Sequence, residues 1–163
     1  MGNKDHTVRE QIILVQQLLE KAVIQFGALP VIYIITPFTS VKRSLHQKLR
    51  PLLTKLLQEV DADTIDKWLN TNCGTIHTFQ GKEANEVLLV LGCDSQQGLG
   101  AAHWVGRKPN IINVAVSRAK YRIGIIGSYG LWSRIPHVQK VCNILSDSIF
   151  SGTTPPGHTE FFR

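Results

Sequence analysis

The sequence predicts a three-layer α/β domain with a mostly parallel sheet. Three observations carry the prediction. Short, almost unbroken apolar runs recur at 31–36, 87–92 and 122–127, the pattern of strands covered on both faces. Longer segments with helical spacing alternate with them, as crossover connections require. At 163 residues, 43% of them hydrophobic, the chain suffices for one domain with a sizeable core.

Taken in order, Thr7-Val8-Arg9-Glu10 matches a capping box and predicts a helix start. Val8, Ile12, Val15, Leu19, Val23 and Phe26 keep helical spacing, and Gly27 and Pro30 close the helix. The β-branched run 31–36 is the first strand, and 36–40 is a turn. An amphipathic helix follows, with Val41, Leu45, Leu49, Leu52, Leu53, Leu56 and Leu57 on one face and Lys42, Arg43, Gln47, Arg50 and Lys55 mostly on the other. Pro51 predicts a kink or a split in it. The acidic stretch 59–66 reads as a surface connection. A short strand at 74–77 and a buried one at 87–92 come next. The Gly- and Gln-rich stretch 94–108 has no clear period and reads as a long loop. Pro109 suits a helix start, with the helix continuing over 111–120. The run 122–127 is the fourth core strand, 137–145 a last helix, and 151–163 a flexible tail. The domain itself is assigned to 1–150.

Composition narrows the class. No apolar run approaches a membrane span, and the polar N-terminus lacks the apolar core of a signal peptide. Cys73, Cys93 and Cys142 are odd in number and widely spaced, without metal-ligand spacing to the histidines. They read as reduced thiols of a cytoplasmic protein with no metal site. The net charge is +6 and unevenly spread. Six basic residues and no acid fall in 21–58, and seven basic residues and no acid in 95–146. Such one-sign fields suit a polyanion, or simply a solvated basic face.

Two segments carry the chemistry. Ile76-His77-Thr78-Phe79-Gln80-Gly81-Lys82-Glu83 reads as a strand breaking into a charged turn. Asn113-Val114-Ala115-Val116-Ser117-Arg118-Ala119-Lys120 reads as a short helix with one arginine among small and apolar residues. An apolar strand follows each. That puts Lys82, Glu83 and Arg118 at one sheet edge, the kind of place where α/β folds collect ligand chemistry. A guanidinium and an ammonium there suit phosphate. Glu83 suits ribose hydroxyls, and Gln80 can both donate and accept. Taken singly each has an ordinary explanation: a surface ion pair for Arg118, solvation for Lys82 and Glu83, a structural role for His77, the core for Phe79. The chain has no phosphate-binding loop. Gly81-Lys82 is its sole Gly-Lys pair, Ile76 stands where that pattern needs its first glycine, and Glu83 replaces the hydroxyl.

Residues 75–83 closely resemble motif V of superfamily 1 helicases of the Upf1-like and Dna2-like group, where Phe-Gln-Gly-Arg/Lys-Glu recurs. Residues 113–120 resemble motif VI of that group, and Ile34-Ile35-Thr36-Pro37-Phe38 resembles its motif IV. The resemblance implies the second RecA-like (P-loop NTPase-type) domain of an ATP-dependent helicase. It implies that Arg118 is the arginine finger and that Lys82 also reaches the γ-phosphate. Gln80, Gly81 and Glu83 complete this wall of the ATP site, with Glu83 on the ribose. Thr36, Pro37, Phe38, Thr75 and His77 line the single-strand track, with Phe38 keeping a stacking face where tyrosine is commoner. ATP with Mg2+ is then held mainly by a first RecA-like domain, supplied in cis or in trans. The single-stranded partner is DNA or RNA. The other reading is a non-catalytic nucleic-acid- or protein-binding module derived from such a domain.

Overall fold

The structure is a computed structural model and describes residues 5–93, 99–145 and 158–162. Helix α1 (Arg9–Phe26) leads into strand β1 (Ile32–Thr36), followed by α2 (Thr39–Leu56) and α3 (Ala62–Asn72). Strand β2 (Cys73–Thr75), a 3-10 turn (Ile76–Phe79) and β3 (Ala84–Val90) follow. Then come α4 (Leu99–Arg107), α5 (Pro109–Ser117), β4 (Ala119–Ser128), α6 (Tyr129–Trp132), α7 (Pro136–Leu145) and β5 (His158–Phe162). The sheet order is β2-β1-β3-β4-β5. β1 to β4 run parallel and β5 pairs antiparallel with β4.

Helices α1, α2 and α3 pack on one another, as do α4, α5 and α7. Right-handed crossovers leave β1 toward one side of the sheet order and β3 toward the other, so the two helix groups cover opposite faces. This is the predicted three-layer arrangement. Its centre is apolar throughout: Ile34 and Ile35 of β1 and Leu88 and Leu89 of β3 are almost fully buried. Leu19 of α1 and Leu45, Leu49 and Leu53 of α2 close over them.

Several elements differ from the sequence reading. The first helix has Val8, not Thr7, at its N-cap, with no side-chain cap. Thr7 is instead turned by the Asp5 carboxylate, which accepts from its amide at 2.9 Å. Gly27 closes α1 as expected, with φ +64° and its amide bonded to the Val23 carbonyl, but Phe26 is 72% exposed. Pro51 does not split α2, which is assigned as helix throughout. The acidic stretch contains the start of α3. Asp61 caps it, accepting from the Thr64 amide at 2.8 Å and the Thr64 hydroxyl at 2.7 Å. Those bonds hold the Asp61 carboxyl below its usual range. The expected long loop is helix α4 from Leu99 onward, while 94–98 lie outside the described residues. The expected tail carries strand β5, and its residues 151–157 lie outside the described ones. The helix expected to reach residue 120 ends at Ser117, because β4 begins at Ala119.

Candidate functional site

The two signature segments meet where β3 and β4 begin. Ala84 and Ala119 are register partners at the start of those strands. The Ala84 amide donates to the Arg118 carbonyl at 2.9 Å, tying the segments together through their backbones. Both segments precede their strands, so in a parallel sheet they lie at its amino ends. The carboxyl-end placement that α/β folds favour does not apply to them. The shared edge is found, but it is the opposite one. Register fixes this, since Ile32 pairs with Glu86, two residues beyond Ala84.

The turn before β3 follows from its sequence. Eight residues separate β2 from β3 across β1, too few for a covering helix, and the 3-10 turn makes the crossing. Phe79 anchors it, fully buried with its ring 4.6 Å from that of Tyr33. The Lys82 amide donates back to the Phe79 carbonyl at 3.1 Å. Gly81 takes φ +73° in this bend, with open space around it, so the demand for glycine is conformational. Gln80, Gly81, Lys82 and Glu83 are all exposed.

Arg118 is the C-cap of α5 and not one of its interior residues. Its guanidinium is half-buried and bonded to neutral acceptors. Nη1 donates to the Lys82 carbonyl at 3.1 Å, Nε to the Val114 carbonyl at 3.3 Å, and Nη2 to the Ser117 hydroxyl at 3.1 Å. Among the described residues no carboxylate pairs with it. Glu83 faces Lys120 instead, at 3.4 Å. The surface ion pair that would have been the ordinary explanation of Arg118 does not occur among the described residues, and its charge is oriented without being neutralised. An anion entering this edge meets that guanidinium on the turn that carries the exposed Lys82, with the Glu83–Lys120 pair on the same edge. No group of three or more His, Cys, Asp or Glu that could hold a metal occurs among the described residues.

The five residues expected along a strand track lie at the carboxyl ends, where Thr36 and Thr75 are register partners. The structure brings them together but withdraws two of them from solvent. Thr36 is fully buried, its hydroxyl accepting from the Phe38 amide at 3.3 Å. Phe38 is only 7% exposed and stacks on His6 at 4.3 Å. The stacking face expected of Phe38 is thus used inside the domain. Pro37 and Thr75 are half-buried, and His77 is exposed on the 3-10 turn.

Sequence reasoning missed the exposed aromatic beside this edge. Trp104 of α4 is 46% exposed, its ring 6.5 Å from that of Phe38. The spacing of Trp104, Arg107 and Lys108 on one helical turn was the available signal, hidden by reading 94–108 as a loop.

Among the described residues no helix is long and apolar enough to cross a membrane. A family model described as an AAA domain matches residues 3–130. The match spans the sheet edge just described, including all of Gln80 to Glu83 and Arg118.

Proposed function

The chain belongs to this helicase-type AAA domain family, and from that premise we propose that it is the second RecA-like domain of an ATP-dependent helicase. In this role it supplies one wall of an ATP site whose phosphate-binding loop lies on a first RecA-like domain. The observation that carries the reading is the Arg118 clasp. A guanidinium held on three neutral acceptors, one of them the Lys82 carbonyl, is charged, oriented and open to exchange.

Bound ATP with Mg2+ supplies the phosphoanhydride whose cleavage drives the cycle, and the first domain holds most of it. Arg118 exchanges its neutral acceptors for γ-phosphate oxygens as the cleft closes. Charge-assisted bonds to phosphate are stronger than those it gives up, so closure is favoured only with nucleotide present. Lys82 adds a second positive charge on the same side. Glu83 leaves Lys120 to accept from ribose hydroxyls, and Gln80 bonds from the same turn. Single-stranded DNA or RNA runs across the opposite, carboxyl-end edge, past Pro37, Thr75 and His77. Closure then moves that edge relative to the first domain, as domain hinges do.

The test is ATP turnover by this chain joined to a first RecA-like domain, with a single strand present. Turnover that needs both halves and the strand is expected. No turnover from a folded, strand-binding protein would leave a binding module in place of a motor.

A further inference from the structure

We propose that Trp104 and Lys108 form a nucleotide-binding step on the carboxyl-end edge, with Trp104 stacking one base of a single strand and Lys108 taking the adjoining phosphate. The inference rests on the nucleic-acid role proposed above and assigns it to residues that no resemblance marks.

The floor of this step is tied down by hydrogen bonds and ring contacts. The His6 ring lies against Phe38 at 4.3 Å, the His6 amide donates to Ser40 Oγ at 3.1 Å, and the His6 carbonyl accepts from the Cys93 amide at 2.8 Å. Gly92 is clasped from both sides, its amide donating to Gln11 Oε1 at 2.8 Å and its carbonyl accepting from Trp132 Nε1 at 3.0 Å. Trp104 stands on this floor, in range of the Phe38 ring. It is held from below by α4, whose Ala102 and Val105 are fully buried. A half-exposed indole fixed this way costs little entropy to use as a stacking surface.

Lys108 places its ammonium 4.5 Å from the centroid of the Trp104 ring. That cation–π contact occupies the indole and is weak at an exposed site. A base is a better partner for the ring face, and the freed ammonium is then one side-chain length from the backbone of that same nucleotide. Arg107 and His103 are exposed on the same helix, and Lys42 and Arg43 open α2 at the same edge. Asp5, the acid beside Arg43, already accepts from the Thr7 amide. Aromatic faces interleaved with cations fit single strands, whose every base offers a π-face. A duplex with its bases stacked internally does not offer them.

Intrinsic fluorescence reads this site selectively. Trp132 is buried on Gly92, and Trp68 donates to the Pro30 carbonyl at the far, amino-end edge. Only Trp104 is therefore placed to be quenched by a strand on the carboxyl-end edge. The full chain is titrated with a labelled thymidine or uridine homopolymer at low salt, following tryptophan quenching and anisotropy together. Quenching that tracks binding is expected. Trp104→Phe keeps affinity within about twofold and loses the quenching. Trp104→Ala weakens binding by roughly 5- to 100-fold, the loss of one stacked base. Lys108→Gln lowers the salt slope by about 0.7, one single-strand phosphate contact. Binding by anisotropy with no quenching, or with unchanged affinity in Trp104→Ala, overturns this inference and leaves the strand-binding role standing. Absence of binding by the wild-type chain overturns both.

Discussion

Replacing Arg118 by alanine separates a phosphate sensor from a structural clasp. Its side chain makes three hydrogen bonds at 3.1 to 3.3 Å, two of them exposed. A typical net value is about 0.5–1.5 kcal/mol per bond. Exposure puts these at the low end, because water can solvate the released carbonyls. The expected loss of stability is about 1–2 kcal/mol, or roughly 2–8 °C in Tm for a domain of this size. On the proposed finger role, the catalytic cost is on another scale. Arginine fingers contribute about 10³–10⁵ in rate, equivalent to about 4–7 kcal/mol. In the chain joined to its first domain, Arg118→Ala should lower kcat by at least a thousandfold with single-strand affinity within about threefold. Arg118→Lys keeps the charge, loses the fork, and should fall between. The assay is steady-state ATP hydrolysis at saturating strand, with a thermal melt and strand anisotropy on the same samples. A kcat within tenfold of wild type refutes the finger. Loss of activity in step with a collapsed melt would make Arg118 a clasp and nothing more.

Three further outcomes are expected. Gly92→Ala should cost about 2–4 kcal/mol in a urea melt: Gly92 has φ +64°, and a Cβ there would lie 2.7 Å from the His6 carbonyl oxygen and 2.9 Å from Val41 Cγ2, adding overpacking to backbone strain. Burial pushes the Cys73 thiol up to about 12, so a thiol reagent at pH 8 should modify Cys73 only at the rate of global unfolding; because the unfolded thiol ionises at its ordinary value of 9.0, this group's contribution to stability should be intact below pH 9 and fall away between there and pH 12. Asp61→Ala should lower Tm at pH 7 through loss of the α3 cap, and since the folded carboxyl titrates below 3.8, the gap between variant and wild type should narrow as pH drops through that range, which melts from pH 7 to pH 2 would follow.

The strands were legible because their burial on both faces leaves an unbroken apolar run. The run at 31–36 becomes β1 and that at 122–127 lies within β4. The missed helices were less visible for a physical reason. α4 contains Gly100 and Gly106, each costing about 1 kcal/mol relative to alanine in a helix. It forms because Ala102 and Val105 are buried and Gly106 fits against the Ile135 side chain, the last a contact with a residue 29 positions away that no local window contains. α3 had a local signal, Asp61 with Thr64 and then Ile65 and Leu69 at helical spacing, masked by its acidic start. β5 is recruited by the open side of β4, a tertiary event. In the site, the order of residues gave the union of Gln80 to Glu83 with Arg118. It could not give the edge, which depends on β3 and β4 starting there, nor the burial of Phe38, which depends on His6 packing against it at the carboxyl-end edge.

The same strand order constrains how the two edges can communicate. β3 starts on the Arg118 carbonyl through Ala84 and continues toward Gly92, where Gln11 and Trp132 clasp the chain beneath Phe38. Eight residue steps separate Ala84 from Gly92, about 26 Å at strand rise. Between them Val87, Leu88, Leu89 and Val90 are buried at 2% exposure or less, in a core too closely packed to deform continuously. A change at Arg118 therefore has no soft path along β3 to the carboxyl-end edge. In the proposed helicase, what it would alter is how the whole sheet sits against the first domain, carrying both edges as one body. On the proposed two-domain reading, phosphate contact at one end and strand contact at the other would be coupled by rotation of the domain, so a substitution at either edge should change that edge's ligand without altering intrinsic affinity at the other until the two domains are joined.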